Sequence, residues 1–145
     1  PEVYSLQQPL SPHAAAALEN VQIDLSTFSL PQVPTNETLI VEGAGGVLVP
    51  INEQHYMLDL ISRLAIPVLL VADSQLGTIN HTLLSVRQLR EYNIPIGGVV
   101  MNGPKNQGNK EAIEFYGKVE VLAEIQPLEE ITPVTLAQCF DDSFT

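Results

Sequence analysis

The sequence has 145 residues, 45% of them apolar, and a formal net charge of −11 from 17 acidic and 6 basic side chains. That is apolar content enough for one packed core, while no apolar run approaches the about 20 residues that cross a bilayer, and no basic stripe exists to meet nucleic acid or an anionic membrane surface. The single Cys139 leaves no internal disulfide and suits a reducing, cytoplasmic compartment.

Residues 1–37 are the least regular part, with prolines at 1, 9, 12, 31 and 34. Within them Ser11-Pro12 and the run His13 to Glu19 predict a short helix, Ser11 as N-cap and Pro12 at the first helical position. Residues 38–42 read as a strand ending at Glu42. Residues 54–65 suit a helix, with Met57, Leu58, Ile61 and Leu64 on one face. Val68 to Ala72 is apolar throughout, as a parallel strand covered on both faces requires. A helix follows over Thr78 to Tyr92, stopped by Asn93-Ile94-Pro95, then a strand over Ile96 to Met101. A helix over 109–117, a short strand from Val121 to Ile125 and a helix from Pro133 to Phe140 complete the chain. Strands alternating with helices across short loops predict an α/β fold, a parallel sheet with helices on both faces. The expected organisation is one partial domain over 1–145, an irregular opening segment over 1–37 leading into an α/β core over 38–130.

Ligands of such sheets gather at the carboxyl ends of the strands. The four loops expected there carry Glu42-Gly43-Ala44-Gly45-Gly46, then Asp73 to His81, then Asn102-Gly103-Pro104, then Gln126-Pro127-Leu128-Glu129. Each is polar or glycine-rich where the strand before it is apolar. An acid at a strand end opening into glycines suits a nucleotide–magnesium site: the carboxylate is a hard oxygen ligand, and glycine lets backbone and phosphate come close. No G-x-x-x-x-G-K-[ST] sequence occurs in these 145 residues, so no P-loop is present to cradle phosphates.

Val41-Glu42-Gly43-Ala44-Gly45-Gly46, with Pro50 after it, resembles the central motif of the dethiobiotin synthetases, and so does Leu76-Gly77-Thr78-Ile79-Asn80-His81-Thr82. Pro9-Leu10-Ser11-Pro12-His13 upstream and Gly97-Gly98-Val99-Val100-Met101-Asn102 downstream match in order and spacing, so the resemblance covers roughly residues 8–130. It implies a P-loop NTPase-like fold of the SIMIBI type, here without the N-terminal strand and P-loop. It also implies an ATP- and Mg2+-dependent cyclo-ligase of biotin biosynthesis, closing a ureido ring on 7,8-diaminononanoate with carbon dioxide, in a cytoplasmic homodimer.

By this resemblance Glu42 is a Mg2+ ligand, and Gly43, Ala44, Gly45 and Gly46 lie against substrate and phosphates. Leu76, Gly77, Thr78, Ile79 and Asn80 hold the substrate carboxylate in the neighbouring subunit, which suits the free N–H groups of a helix start. Asn102 contacts adenine, and Gln126, Pro127 and Leu128 occupy the place of the loop that covers it. Residue 103 is Gly where the family often has Asp or another polar residue. No residue is assigned as catalytic with certainty. His81 is assigned to packing or the dimer, His13 and His55 have no metal-ligand spacing, and Lys105 and Lys110 read as solvated. With Pro1 rather than Met first, the chain is expected to be a C-terminal portion, inactive alone. The alternatives are a non-catalytic ligand-binding or dimerisation module of the same fold, or part of a related P-loop amidotransferase or partition ATPase.

Overall fold

The computed structural model describes residues 3–144, so Pro1 of the opening segment lies outside the described residues. The chain divides into two compact units, Pro1–Ile66 and Pro67–Thr145.

In the first unit, helix α1 spans Pro12–Leu18. The Ser11 carbonyl accepts the amides of Ala14 and Ala15 at 2.9 and 3.0 Å. The Ser11 hydroxyl does not cap the helix; it lies 3.0 Å from His13 Nδ1. A 3₁₀ turn at Leu25–Thr27 is started by Asp24, whose carboxylate accepts the Ser26 amide at 2.8 Å and the Ser26 hydroxyl at 2.7 Å. The side-chain bond from Ser26, then its backbone bond, hold the Asp24 carboxyl below its ordinary pKa. Tyr4 packs on Phe28 with ring centroids 5.7 Å apart, over a small core of Ala16, Ile23, Leu25, Ile51 and Met57.

Helix α2 is Met57–Leu64, shorter than the expected 54–65. The reason is a tight turn before it: Asn52 Oδ1 accepts the amides of Gln54 and His55 at 2.9 and 2.8 Å, and Pro50 bridges to Tyr56. The Asp59 carboxylate then accepts the Tyr56 amide at 2.7 Å and fixes the start of α2. The strand expected over 38–42 is not formed. Ile40 is 86% exposed and Val41 44%, and the segment pairs with no strand among the described residues. An apolar run becomes a strand only when a ladder partner satisfies its N–H and C=O groups.

The second unit carries a three-stranded parallel sheet in the order β1 (Val68–Asp73), β2 (Ile96–Asn102), β3 (Val121–Ile125). Between the strands run α3 (Thr78–Glu91) and α4 (Gln107–Gly117), and α5 (Pro133–Phe144) follows β3. The fold class is therefore α/β with a parallel sheet, as the alternation of elements predicts. The central strand is buried on both faces. Val99 and Met101 join Ala72, Ile113 and Val121 in one core cluster, and Val100, pointing the other way, is also buried. The α3 side chains Val86 and Leu89 are buried, while Leu69 and Val71 on the outer face of β1 are exposed. Helix α4 starts two residues before the expected 109 because Asn106 Oδ1 caps the Asn109 amide at 3.1 Å. Among the described residues no helix is long and apolar enough to cross a membrane.

Candidate functional site

The glycine loop belongs to the first unit. Its geometry is set by the start of α2: the amides of Met57 and Leu58 donate to the carbonyls of Val49 and Val47, each at 2.8 Å. Two orphan donors of that helix are thus satisfied by the loop's own outgoing strand-like segment. Gly45 has φ +82°, and a Cβ there would fall 2.9 Å from Val49 Cγ2. Only glycine fits without strain. Beyond chain neighbours, a Cβ at Gly46 would meet nothing within 4 Å among the described residues, and one at Gly43 only the flexible Met57 side chain. Ala44 and both these glycines are exposed.

Glu42 precedes this loop, exposed, and its carboxylate makes no hydrogen bond or ion pair among the described residues. Among them no three His, Cys, Asp or Glu side chains converge as a metal cage. A magnesium–nucleotide complex does not need one: Mg2+ is typically bound by one or two carboxylates, with phosphate and water filling its octahedron. One unpaired, exposed carboxylate beside an open glycine backbone fits that chemistry.

The other three loops leave the carboxyl edge of the second unit's sheet. The register puts Asp73, Asn102 and Ile125 side by side at the ends of β1, β2 and β3. Asn102 is the middle one, exposed, and its side chain makes no hydrogen bond among the described residues. Gln126, Pro127 and Leu128 come directly after the neighbouring Ile125 and are exposed. The structure therefore brings Asn102 and the Gln126–Leu128 loop to adjacent strand ends.

The loop after β1 folds back on its own acid. Asp73 Oδ1 accepts the amides of Ser74 and Gln75 at 2.6 and 3.1 Å. Thr78 is buried, and its hydroxyl donates to the Asp73 carbonyl rather than capping α3. Gly77, at φ +100°, turns the chain into α3. The Thr78 amide donates to Gln75 O at 3.1 Å and the His81 amide to Gly77 O at 3.1 Å, but the amides of Ile79 and Asn80 find no acceptor among the described residues. These two N–H groups sit at the positive end of a 14-residue helix. Leu76, fully exposed, stands beside them.

Lys110, expected to be solvated, is half-buried and lies 3.8 Å from the Glu124 carboxylate. Ser74 is a further residue of the loop after β1, unmarked in the sequence. It is 4% exposed, its hydroxyl has no hydrogen-bond partner among the described residues, and it lies against Gly103. No spacing or composition signal marks a serine one position past a strand.

A parallel α/β sheet with its polar loops on the carboxyl edge is the layout of nucleotide-dependent enzymes, and a family model described as an AAA domain matches residues 1–135. Along all 145 residues the chain is 52% identical to an ATP-dependent dethiobiotin synthetase of Paramagnetospirillum magneticum, spanning 70% of that protein. It is 49% identical to the corresponding protein of Lawsonia intracellularis over 93% of the chain and 65% of the relative. It is 51% identical to a biotin biosynthesis bifunctional protein of Bordetella avium over 88% of the chain and 27% of that longer relative. The chain belongs to the dethiobiotin synthetase family.

Proposed function

We propose that the protein is an ATP-dependent dethiobiotin synthetase, a cyclo-ligase acting on 7,8-diaminononanoate and carbon dioxide, and that the two units are parts of one nucleotide-binding domain that works as a homodimer in the cytoplasm. The observation that carries this reading is identity of 52% along the whole chain to a protein of that name, with the family model crossing from one unit into the other. In the reaction one amine takes up carbon dioxide as a carbamate and releases a proton. The carbamate oxygen receives the γ-phosphoryl group of ATP, releasing ADP, and the second amine then attacks the mixed anhydride carbon and expels phosphate.

The family resemblance assigns the chain's residues parts in this, and their placement supports that assignment. Glu42 would hold Mg2+, which when bound supplies charge to the transferring phosphoryl oxygens. Gly46, with open space above it, lets substrate and phosphate approach the backbone, and Gly43 and Ala44 line the same loop; Gly45 holds the loop's shape. The unfilled amides of Ile79 and Asn80, with Leu76, Gly77 and Thr78 around them, would orient the substrate carboxylate across the dimer. Asn102 would hydrogen-bond the adenine, with Gln126, Pro127 and Leu128 beside it. Positioning of this kind, rather than covalent chemistry, is what such a transfer needs from a protein.

The test uses the full gene product with diamine, bicarbonate, ATP and Mg2+, and reads dethiobiotin by mass spectrometry. Product formation that requires all four is expected. Glu42→Gln is expected to lower kcat/KM by about 100-fold or more while the melting temperature stays put, since the carboxylate has no partner to lose among the described residues. A folded gene product that makes no dethiobiotin overturns the reading.

A further inference from the structure

We propose that Ser74 is a positioning residue for Asn102, acting through Gly103; this rests on the reading of Asn102 as the adenine contact. Asn102 makes no side-chain hydrogen bond among the described residues, so no such bond fixes its amide and the seating of its backbone matters. That backbone is gripped on both sides. On one side the Gly103 amide donates to Ile125 O at 2.8 Å, tying the end of β2 to the end of β3. On the other, Ser74 lies directly over Gly103: a Cβ at position 103 would come under 3.0 Å from Ser74 Oγ and 3.3 Å from Ser74 Cβ, with Asp73 Oδ1 3.6 Å away. Gly103 also has φ +140°, in the range that favours glycine.

Ser74 is itself fixed. Its amide donates to Asp73 Oδ1 at 2.6 Å, and its carbonyl accepts Asn109 Nδ2 from α4 at 2.8 Å. Its hydroxyl, buried, has no hydrogen-bond partner among the described residues. The side chain therefore contributes volume rather than a hydrogen bond: it is the surface against which the turn after Asn102 is seated. Residue 103 has no side chain because that volume is already taken. The loop after β1, the start of α4 and the end of β3 together set the height of Asn102 above the sheet, and residue 74 is the spacer.

The experiment compares Ser74→Val, Asn102→Ala and the double variant in the full gene product, reading kcat and KM for ATP and the preference for ATP over GTP and CTP. Ser74→Val puts a bulkier, branched side chain against Gly103. It is expected to raise the KM for ATP at least about fivefold, with a smaller effect on kcat, and to weaken the base preference. In the Asn102→Ala background it is expected to add nothing, because the group it displaces is gone. A Ser74→Val enzyme with wild-type KM and base preference overturns the proposal, and so does a KM rise that persists in the double variant. If Asn102→Ala alone leaves KM and base preference unchanged, the adenine reading of Asn102 fails, and the proposal with it, by a separate observation. Should Ser74→Val not fold, Asn109→Ala loosens the same loop from outside the crowded spot. It is expected to shift KM about twofold in the same direction and to cancel likewise; unchanged base selectivity there overturns the proposal.

Discussion

Two neighbouring glycines in one loop are predicted to fail in opposite ways. At Gly45 an alanine would meet φ +82° and would place its Cβ 2.9 Å from Val49 Cγ2. The left-handed backbone costs an L-residue about 1 to 2 kcal/mol, and forcing a methyl into an occupied space adds about 1 to 3 kcal/mol. Gly45→Ala is therefore expected to destabilise by about 2 to 5 kcal/mol, which for a protein of this size lowers Tm by at least about 5 °C. At Gly46 a Cβ would meet nothing within 4 Å among the described residues beyond its chain neighbours, and φ is not left-handed, so Gly46→Ala is expected to change stability by less than about 0.5 kcal/mol. Activity should separate them the other way. Gly46→Ala places a methyl where phosphate or substrate approaches, and its KM for ATP or diamine rises at unchanged Tm. Gly45→Ala, assayed well below its melting temperature, loses activity only as far as the loop deforms. Differential scanning calorimetry and initial-rate kinetics on both variants decide the matter. Equal loss of Tm in the two would refute the conformational argument; wild-type KM values for both substrates in Gly46→Ala would refute the approach of ligand at that backbone.

Ile113 is fully buried in the cluster with Val99 and Met101, and Ile113→Ala is expected to cost about 2 to 5 kcal/mol by urea denaturation. The Asp24 carboxyl has its pKa lowered in the folded state, chiefly by the Ser26 side-chain bond. Its stabilising effect is therefore complete above the unfolded-state pKa and disappears as pH falls through the lower folded value. The Tm gap between wild type and Asp24→Asn should be present at neutral pH and close below about pH 4, and a gap that widens in acid contradicts this.

The second unit was legible because each signal there is local. The apolar run Val68–Ala72 and the stop at Asn93-Ile94-Pro95 act through residues adjacent in sequence, and β1, α3, β2 and β3 lie within a residue or so of where the pattern puts them. The candidate site was legible in part, for the same reason. Asn102 and Gln126 are read as strand-end residues, and the parallel register then places Asn102 beside Ile125. Ser74 was not legible, because what matters about it is a contact with the distant Gly103, and no property of a serine announces that. Helix α2 starts later than the hydrophobic period suggests because Asn52 commits its side chain to a turn, a local hydrogen bond that competes with helix.

The segment 38–42 is the instructive failure, and it yields a test. Its residues Leu39, Ile40 and Val41 have β-forming side chains and an acid in the right place, yet the backbone has no ladder partner among the described residues and Ile40 is almost fully exposed. β-propensity measures how well a side chain suits a pleated, packed surface; without a neighbouring strand there is no such surface and no hydrogen bond to gain. The 145-residue chain should show this in two ways. Amides of Leu39, Ile40 and Val41 should exchange with deuterium nearly as fast as in an unfolded peptide, whereas Val99 and Met101 in the central strand are protected to the limit of global unfolding. Ile40→Thr should leave its stability within about 0.5 kcal/mol, where burial as a core strand residue would make the same change cost far more. Slow exchange at 39–41 in the chain alone, together with a large cost of Ile40→Thr, would mean that the segment finds a ladder partner and buries Ile40 after all.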